Sequence, residues 1–188
     1  MLLTVKAKLQ PSGEQRTKLH TTMQTFNAAC TDISKTAYET KTYNKYKLQH
    51  TLYHRVREQY RLPAQLAIRA ISKVVESYRT ERRNLHTFNP YGAIVYDQRL
   101  LSFKGLDRVS LTTLEGRVVV PILVGGYAKL DQRRVRGQAD LIYVKGEFYL
   151  CVAVETPKET PLKPDGVLGV DFGIVNIAST SDGVSYSG

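Results

Sequence analysis

The chain opens on a strict alternation of hydrophobic and polar positions. Leu3, Val5, Ala7 and Leu9 alternate with polar residues, and Pro11-Ser12-Gly13 interrupts the pattern. A period of two is typical of a strand with one buried face, because successive side chains point to opposite sides of a sheet. The sequence therefore predicts an amino-terminal β-strand that ends at the proline.

After Ser12 the hydrophobic spacing changes to three or four residues, the period of an α-helix. Ser12 followed by Gln15 has the form of a capping box and predicts where the first helix begins. A second helix is predicted in the basic stretch before Leu62-Pro63, and Pro63 is predicted as the first residue of a third, where its missing N–H costs nothing. The three predicted buried stripes, within residues 13–83, are Leu19, Met23, Phe26, Cys30, Ile33 and Ala37; Leu48, Leu52 and Val56; and Ala67, Ile71, Val74 and Tyr78.

Beyond Asn84 the pattern changes to short β-rich runs separated by turn residues. The predicted strands are 93–96, 100–103, 109–113, 117–120, 138–144 and 148–155. Lys145-Gly146 separates the last two and indicates a hairpin turn. Short strands at this spacing favour a small antiparallel β-barrel, which the amino-terminal strand would complete. The predicted fold class is α+β, a barrel with an inserted helical bundle.

A proline-rich segment then predicts a domain boundary. Pro157, Pro161 and Pro164 lie within residues 156–165, and proline cannot sustain ladder pairing, so we expect a semi-rigid linker. The predicted domains are a barrel at 1–10 and 84–155, a helical insertion at 11–83, this linker, and the start of a second domain at 166–188. That last segment is typical of the first hairpin of a new sheet. About 22 residues cannot bury a core, so we expect that another chain completes the sheet or that the sequence is a fragment.

Composition and charge limit the remaining classes of function. Of 188 residues, 42% are hydrophobic and 23% charged, which allows a folded core. The chain has 27 Lys and Arg residues and 17 Asp and Glu residues. All 27 basic residues but only 14 of the acids lie within residues 1–163, which end at Lys163. The net charge of this part is therefore 27 minus 14, or +13. Cys30 and Cys151 are too isolated for a disulfide framework or a CxxC metal site, and no apolar stretch approaches the roughly 20 residues of a membrane span. These features predict a soluble, reduced, intracellular protein with one strongly basic part.

Asp171 is the strongest candidate for chemistry. It lies in an apolar run between Gly169 and Gly173. An acid buried in such a strand needs compensation by a metal ion, a cation or hydrogen bonds, and the flanking glycines leave room for an ion or phosphate to approach. The alternative is a turn or capping aspartate at a strand end.

The predicted helices form a second candidate site, for nucleic acid. Residues 16–83 contain 14 basic and 5 acidic residues. Lys and Arg neutralise phosphates, and tyrosine rings can stack on unpaired bases. The interleaved tyrosines are Tyr38, Tyr43, Tyr46, Tyr53, Tyr60 and Tyr78. The alternative is a solvated helical face with tyrosines that cover a small core.

Within this region, Gln65, Arg69 and Lys73 recur at intervals of four, which places them on one face of the third helix, away from the buried stripe. Gln can bond adenine and Arg guanine at a groove edge, so this face could read a short duplex motif. A merely soluble helix face is the alternative.

Two other groups are weaker candidates. Arg133-Arg134-Val135-Arg136, between two predicted strands, could contact the phosphates of an RNA or could simply favour solubility. His50 and His54 share a helical face at a spacing that can chelate metal. Without a third ligand, solvated histidines are the simpler interpretation. The sequence contains no Walker loop, GxSxG motif or dinucleotide fingerprint.

Two segments resemble a known family. Gly169-Val170-Asp171-Phe172-Gly173-Ile174-Val175-Asn176-Ile177-Ala178, followed by Ser181-Asp182-Gly183, resembles the first RuvC segment of the TnpB family, transposon-associated proteins related to type V CRISPR effectors. Leu62-Pro63-Ala64-Gln65-Leu66-Ala67, running into Ser77-Tyr78, is similar to the segment that marks the helical amino-terminal region of that family. The two matches occur in the expected order.

The resemblance implies RNA-guided cleavage of DNA by an RNase H-like nuclease, whose three acidic residues hold divalent metal such as Mg²⁺. On that resemblance Asp171 is the first of the three, and residues 166–188 begin the RuvC-like fold. The implied partners are a guide RNA and target DNA, with no membrane, in the prokaryotic cytoplasm near the nucleoid. The other two acids and the late zinc-ribbon cysteines of the family have no counterpart before Gly188. This chain alone is therefore not expected to cut DNA.

The predicted function is that of the amino-terminal part of a TnpB-like RNA-guided endonuclease, which binds guide RNA and target-flanking DNA. A catalytically inactive nucleic-acid-binding regulator derived from such a nuclease is the alternative. A helix-turn-helix factor that binds duplex DNA without RNA is a third possibility.

Overall fold

A computed structural model of the chain describes residues 2–105, 107–124, 135–155 and 165–187; of Arg136 it describes the backbone alone. The chain divides into two compact units, Met1–Thr156 and Pro157–Gly188. The three prolines of the predicted linker, Pro157, Pro161 and Pro164, lie outside the described residues. The further division of the first unit into a barrel domain and a helical domain stays a prediction.

The first unit is built around a seven-stranded antiparallel sheet that curls into a nearly closed barrel. Its strands are β1 (Leu2–Leu9), β2 (Ile94–Tyr96), β3 (Leu101–Lys104), β4 (Arg108–Thr113), β5 (Gly116–Val124), β6 (Val135–Val144) and β7 (Glu147–Glu155). Their order in space is β2-β6-β7-β1-β5-β4-β3. The edge strands β2 and β3 follow each other in the chain, and the Tyr96 hydroxyl of β2 donates to the Thr112 carbonyl of β4 at 2.8 Å. The predicted α+β class is confirmed.

The amino-terminal strand β1 lies in the middle of this sheet. Val5 is opposite Val152 of β7, and Leu9 is opposite Ile122 of β5. The expectation that β1 completes the barrel is therefore confirmed. The predicted buried stripe of β1 is one residue too long, because Leu3 is 45% exposed near the strand end.

The hairpin of β6 and β7 has the turn that its sequence predicts. Lys145 and Gly146 both have positive φ angles, 51° and 83°, which match the twist of a two-residue hairpin turn. Farther along, Val135 of β6 pairs with Val154 of β7, and Ala139 pairs with Val152. An advance of four residues along β6 therefore matches an advance of only two along β7. This bulge bends β6.

Three helices connect β1 to β2: α1 (Gly13–Glu39), α2 (Lys45–Gln59) and α3 (Ala64–Thr80). The capping box is present, since the Gln15 amide donates to Ser12 Oγ at 3.3 Å and the Ser12 amide to Gln15 Oε1 at 3.1 Å. All residues of the predicted helical stripes are buried. Pro63 is the N-cap of α3 and not its first residue, because its ψ of 143° is extended. Within the described residues, no helix has the length and apolar character needed to span a membrane.

A buried polar contact joins the helices to the barrel. Lys73 of α3 donates its ammonium group to Asn27 Oδ1 of α1 at 2.8 Å and to the Ala93 carbonyl at 2.6 Å, directly before β2. The Asn27 amide donates to the Gly92 carbonyl at 2.8 Å. A Cβ at Gly92 would lie 3.0 Å from the Asn89 carbonyl oxygen and 3.2 Å from Asn27 Oδ1, so this close approach favours glycine. Two helices and the start of β2 are thus fixed together.

The second unit is a three-stranded antiparallel sheet in the order β10-β9-β8. Its strands are β8 (Val170–Asp171), β9 (Asn176–Thr180) and β10 (Ser185–Ser187). Ser181-Asp182-Gly183 forms the turn between β9 and β10, with Gly183 at a φ of 91°. Many of its large apolar side chains are exposed, including Val167, Phe172, Ile174 and Val175.

We expect Asn27→Ala to lower the free energy of unfolding by about 1–3 kcal/mol, because the Lys73 ammonium and the Gly92 carbonyl both lose a buried partner. Urea denaturation followed by circular dichroism measures the change. Lys35→Ala, at an exposed position of the same helix, is the matched control and should change stability by less than about 0.5 kcal/mol. Equal effects of the two substitutions would contradict a structural role for the Asn27 contact.

Candidate nucleic-acid interface

The structure places the α3 face that carries Gln65, Arg69 and Lys73 against the barrel. All three side chains are partly buried. Gln65 and Arg69 reach Asp97 in the turn after β2, while Lys73 bonds Ala93 just before β2. This face is an inner surface at the junction of helix and barrel. Contact of these residues with nucleic acid stays a prediction, and Lys73 is already engaged within the fold.

Asp97 organises this junction. Its Oδ2 accepts hydrogen bonds from the Gln65 amide and from Nε of Arg69 at 2.9 Å, and Nη2 of Arg69 lies 2.8 Å from the same oxygen. Its Oδ1 accepts the backbone amides of Arg99 at 2.9 Å and Leu100 at 3.3 Å. One carboxylate therefore closes the turn between β2 and β3 and fixes two side chains of α3.

The surroundings of Asp97 lower its pKa. Burial raises the pKa of the carboxyl, but the hydrogen bond from Gln65, the Arg99 amide and the Arg69 guanidinium together outweigh burial. The side chains of Asp97 and Arg69 are 14% and 21% exposed. The ion pair is therefore shielded from water and charged at neutral pH.

An open cleft of about 440 Å³ lies beside this ion pair. It is lined by Arg69, Asp97, Gln98, Arg99, Gly137 and Gln138. Arg69 donates from Nη1 to Gln138 Oε1 at 3.4 Å, and Arg99 donates from Nη1 to Gln65 Oε1 at 3.5 Å. The cleft thus presents guanidinium and amide groups, which hydrogen-bond phosphates and base edges.

Sequence reasoning did not identify Asp97, Gln98, Arg99 or Gln138. An aspartate directly after a β-rich run is typical of a turn in which the side chain bonds backbone amides, so the turn at Asp97 could have been located. Its pairing with Arg69 could not, because that contact depends on how α3 packs on the barrel. Gly137, with a φ of 71°, belongs to the β6 bulge and brings Gln138 to the cleft.

The predicted basic loop lies mostly outside the described residues. Arg133 and Arg134 lie outside the described residues. Arg136 belongs to β6, and its side chain is not among the described ones. Phosphate contact by these three arginines stays a prediction.

The tyrosines of the helical region differ in their surroundings. Five are buried or pack against the core: Tyr38, Tyr43, Tyr53, Tyr60 and Tyr78. Tyr78 is held by the Ser34 hydroxyl at 2.9 Å, and its ring centroid lies 4.7 Å from that of Tyr43. Tyr46, by contrast, is 80% exposed. Five of the six tyrosines that were predicted to stack on bases therefore contribute to the core, whereas Tyr46 is open to solvent.

Asp171 lies in β8, opposite Ser179 of β9. Its side chain is exposed, which corrects the expectation of an acid buried in an apolar strand: the three-stranded sheet leaves this position open to solvent. The glycines have local roles. The Gly173 amide donates to the Asn176 carbonyl at 3.1 Å, and a Cβ at Gly173 would lie only 3.2 Å from that oxygen.

The predicted Mg²⁺ site needs more ligands than the described residues supply. Among them, no three His, Cys, Asp or Glu side chains cluster closely enough to hold a metal ion. Asp171 is a single exposed carboxylate, and His50 and His54 are an exposed pair on α2. A two-ion centre therefore does not fit this set of residues by itself.

Comparison with known proteins gives a structural likeness. No protein-family model matches the chain, and no curated protein matches it. Among solved structures, it is similar to a chain in "Cryo-EM structure of CRISPR-Cas12f Ternary Complex", with a TM-score of 0.48 and 12% sequence identity. The similarity covers 91% of this chain and 49% of that chain, so the sequence spans about half the length of the structure that it matches. Its function therefore has to be argued from its own residues.

We expect Asp97→Asn to reduce stability by about 1–2 kcal/mol at pH 7, because it removes the charge opposite Arg69 and keeps the oxygen that accepts the Arg99 amide. The pKa of Asp97 is lowered in the folded state, so its contribution is present above about pH 4, the ordinary range of an unfolded aspartate, and is lost as the pH falls through the folded-state value.

Thermal unfolding of the wild type and of Asp97→Asn at several pH values tests this dependence. The difference in Tm should be largest at neutral pH and should shrink below about pH 4. Asp107→Asn, which removes an exposed acid, should show little difference at any pH. A constant Tm difference for Asp97→Asn across the pH range would count against a charged Asp97.

Proposed function

We propose that this chain binds nucleic acid as the amino-terminal part of a TnpB-like RNA-guided DNA endonuclease. The observation that carries the proposal is the cleft beside Asp97, where an acid fixed between barrel and helix holds Arg69 and Gln65 in place. The resemblance of the 62–67 and 169–178 segments to the TnpB family supplies the class of nuclease. The proposed partners are a guide RNA and the DNA that flanks its target.

The cleft suits a nucleic acid because its polar groups are held before binding. Arg69 donates a hydrogen bond from Nε to Asp97 and forms an ion pair with it through Nη2, which leaves its guanidinium fixed beside Arg99 and Gln138. Side chains that are already ordered lose less conformational entropy on binding. The exposed Arg99 and Gln98 are then free to contact phosphate or a base edge.

The charge of the chain supports the same class of partner. The +13 of residues 1–163 attracts a polyanion and favours release of its counterions on binding. In the complete nuclease, pairing of the guide with the target strand would read the target sequence, while the protein would read the flanking motif.

We propose for Asp171 the role of one metal ligand in a complete RuvC-like domain. The support is its place within the resembling segment and its position on a strand of an antiparallel sheet with a solvent-accessible carboxylate. When bound, Mg²⁺ would activate water and stabilise the leaving oxygen. Asp171 would hold one side of such an ion.

We expect Arg99→Gln to weaken binding of a DNA duplex about threefold to tenfold and to reduce the slope of log affinity against log salt by about one, because one phosphate contact is lost. Filter binding across a salt series measures both quantities. Lys35→Gln removes the same charge from an exposed position of α1 and is the matched control. Equal losses for the two substitutions would indicate a general charge effect, and a flat salt response of the wild type would contradict the proposed function.

In the complete nuclease, we expect Asp171→Ala to reduce the rate of DNA cleavage at least about a hundredfold, because a metal ligand is lost. Asp182→Ala is the control, since Asp182 is exposed in the turn after β9, where Thr180 donates to its carboxylate. Single-turnover cleavage of a target duplex with guide RNA measures both rates. Full activity of Asp171→Ala would refute the assignment. A protein that binds but never cuts would instead be the regulator.

A further inference from the structure

The outer face of α2 has a composition that the fold itself does not require. The helix buries only Leu48, Leu52 and Val56, at intervals of four. Tyr46, His50, His54 and Arg57 are exposed on the opposite side, and Tyr53, which also packs partly against the core, lies at the edge of that side, since helical positions four, seven, eight and eleven apart share a face. We call this row the α2 outer stripe.

Tyr46 is the clearest member of the stripe. Its side chain is 80% exposed, and within the part of the chain that the structure describes no hydrogen bond or ring contact holds it. An exposed tyrosine ring adds little to the stability of the fold, because stabilisation by an aromatic side chain comes from area removed from water. Packing of this chain therefore does not explain the ring at this position.

Two open hollows lie on either side of Tyr46 and His50. One, of about 540 Å³, is lined by Tyr46, Gln49, His50, Tyr53 and His54. The other, of about 470 Å³, is lined by Thr42, Tyr46, Lys47, His50 and Thr51. The rings of Tyr53 and His54 meet edge to face, with centroids 5.1 Å apart. The stripe is thus a ridge of flat rings between two recesses.

The charges beside the stripe are of one sign. Helix α2 carries Lys45, Lys47, Arg55 and Arg57 against a single acid, Glu58. Arg55 is engaged by Asp32, with 3.2 Å between Nη2 and Oδ2. The remaining cations favour an anionic partner.

We propose that the α2 outer stripe binds the unpaired bases of a single-stranded polynucleotide. Tyrosine and imidazole rings stack on any base, and flanking cations contact the backbone phosphates, which is the arrangement of sequence-tolerant single-strand sites. A paired duplex offers its stacked bases only at groove edges, so the stripe favours unpaired strands. The site is separate from the Asp97 cleft and rests on the proposed function only in that both require nucleic-acid binding.

Tyr46→Ala tests the stripe in the full chain. Fluorescence anisotropy would follow binding to an unstructured oligoadenylate RNA of about 12 nucleotides, a DNA strand of the same sequence, and a DNA duplex. We expect about a tenfold loss of affinity for at least one single strand, an unchanged salt slope because no phosphate contact is removed, and less than about a twofold change for the duplex. The arm that shows the loss identifies RNA, DNA or both as the strand that is bound.

Two controls isolate the ring. Tyr46→Phe keeps the stacking surface and should stay within about twofold of the wild type. Gln59→Ala changes an exposed residue of α2 off the stripe and should leave binding unchanged. Because Tyr46 is so exposed, Tyr46→Ala should keep the wild-type Tm, which excludes misfolding as the cause of a loss.

The outcomes separate this inference from the proposed function. If Tyr46→Ala binds both single strands as tightly as the wild type, the inference is overturned. Equal losses for single strands and duplex would also overturn it. If the wild type binds neither strand nor duplex, the proposed function itself fails.

Discussion

The Lys73 ammonium group is the polar contact that joins the helices of the first unit to the barrel. It is held by Asn27 of α1 and by the Ala93 carbonyl, so α1, α3 and the start of β2 meet at one cation. Burial lowers the pKa of Lys73, and a buried cation without these acceptors would be strongly destabilising. The contact therefore favours the observed placement of α3 beside the start of β2. Arg69 lies one turn and Gln65 two turns before Lys73 on the same face of α3.

The cleft beside Asp97 depends on the negative charge of the Asp97 carboxylate. Asp97 lies in the turn that directly follows β2, and Arg69 reaches it from α3, whose Lys73 bonds the Ala93 carbonyl just before β2. The acid keeps the arginine ordered and leaves Arg99 and Gln98 at the rim of the cleft. Helix α3 thus faces the barrel with its polar residues, whereas α2 presents polar and aromatic residues to solvent. Under the two proposals, the helices would contact different parts of a nucleic acid for that reason.

Local features of the fold could be predicted from the sequence. The capping box of Ser12 and Gln15, the Lys145-Gly146 turn and the buried stripes of the helices each depend on residues close together in the chain. Features that depend on distant partners could not be predicted. The Asp97–Arg69 pair joins a turn to a helix 28 residues away, and no periodicity marks it. Tyr46 is exposed and Tyr78 is buried because of the way the helices pack together, which the sequence does not reveal. The exposure of Asp171 likewise depends on the three-stranded sheet.

The central position of β1 has a consequence for biosynthesis. Ribosomes make this strand before its partners around Ile122 and Val152, and all three helices are made in between. Pairing between such distant segments is slow, and an unpaired apolar strand can associate with other chains in the meantime. Lys6 and Lys8 alternate with its buried residues, and charged side chains of this kind discourage association between nascent chains. The helices can pack together before β1 pairs with β5 and β7, so the barrel would be the last part of the unit to form.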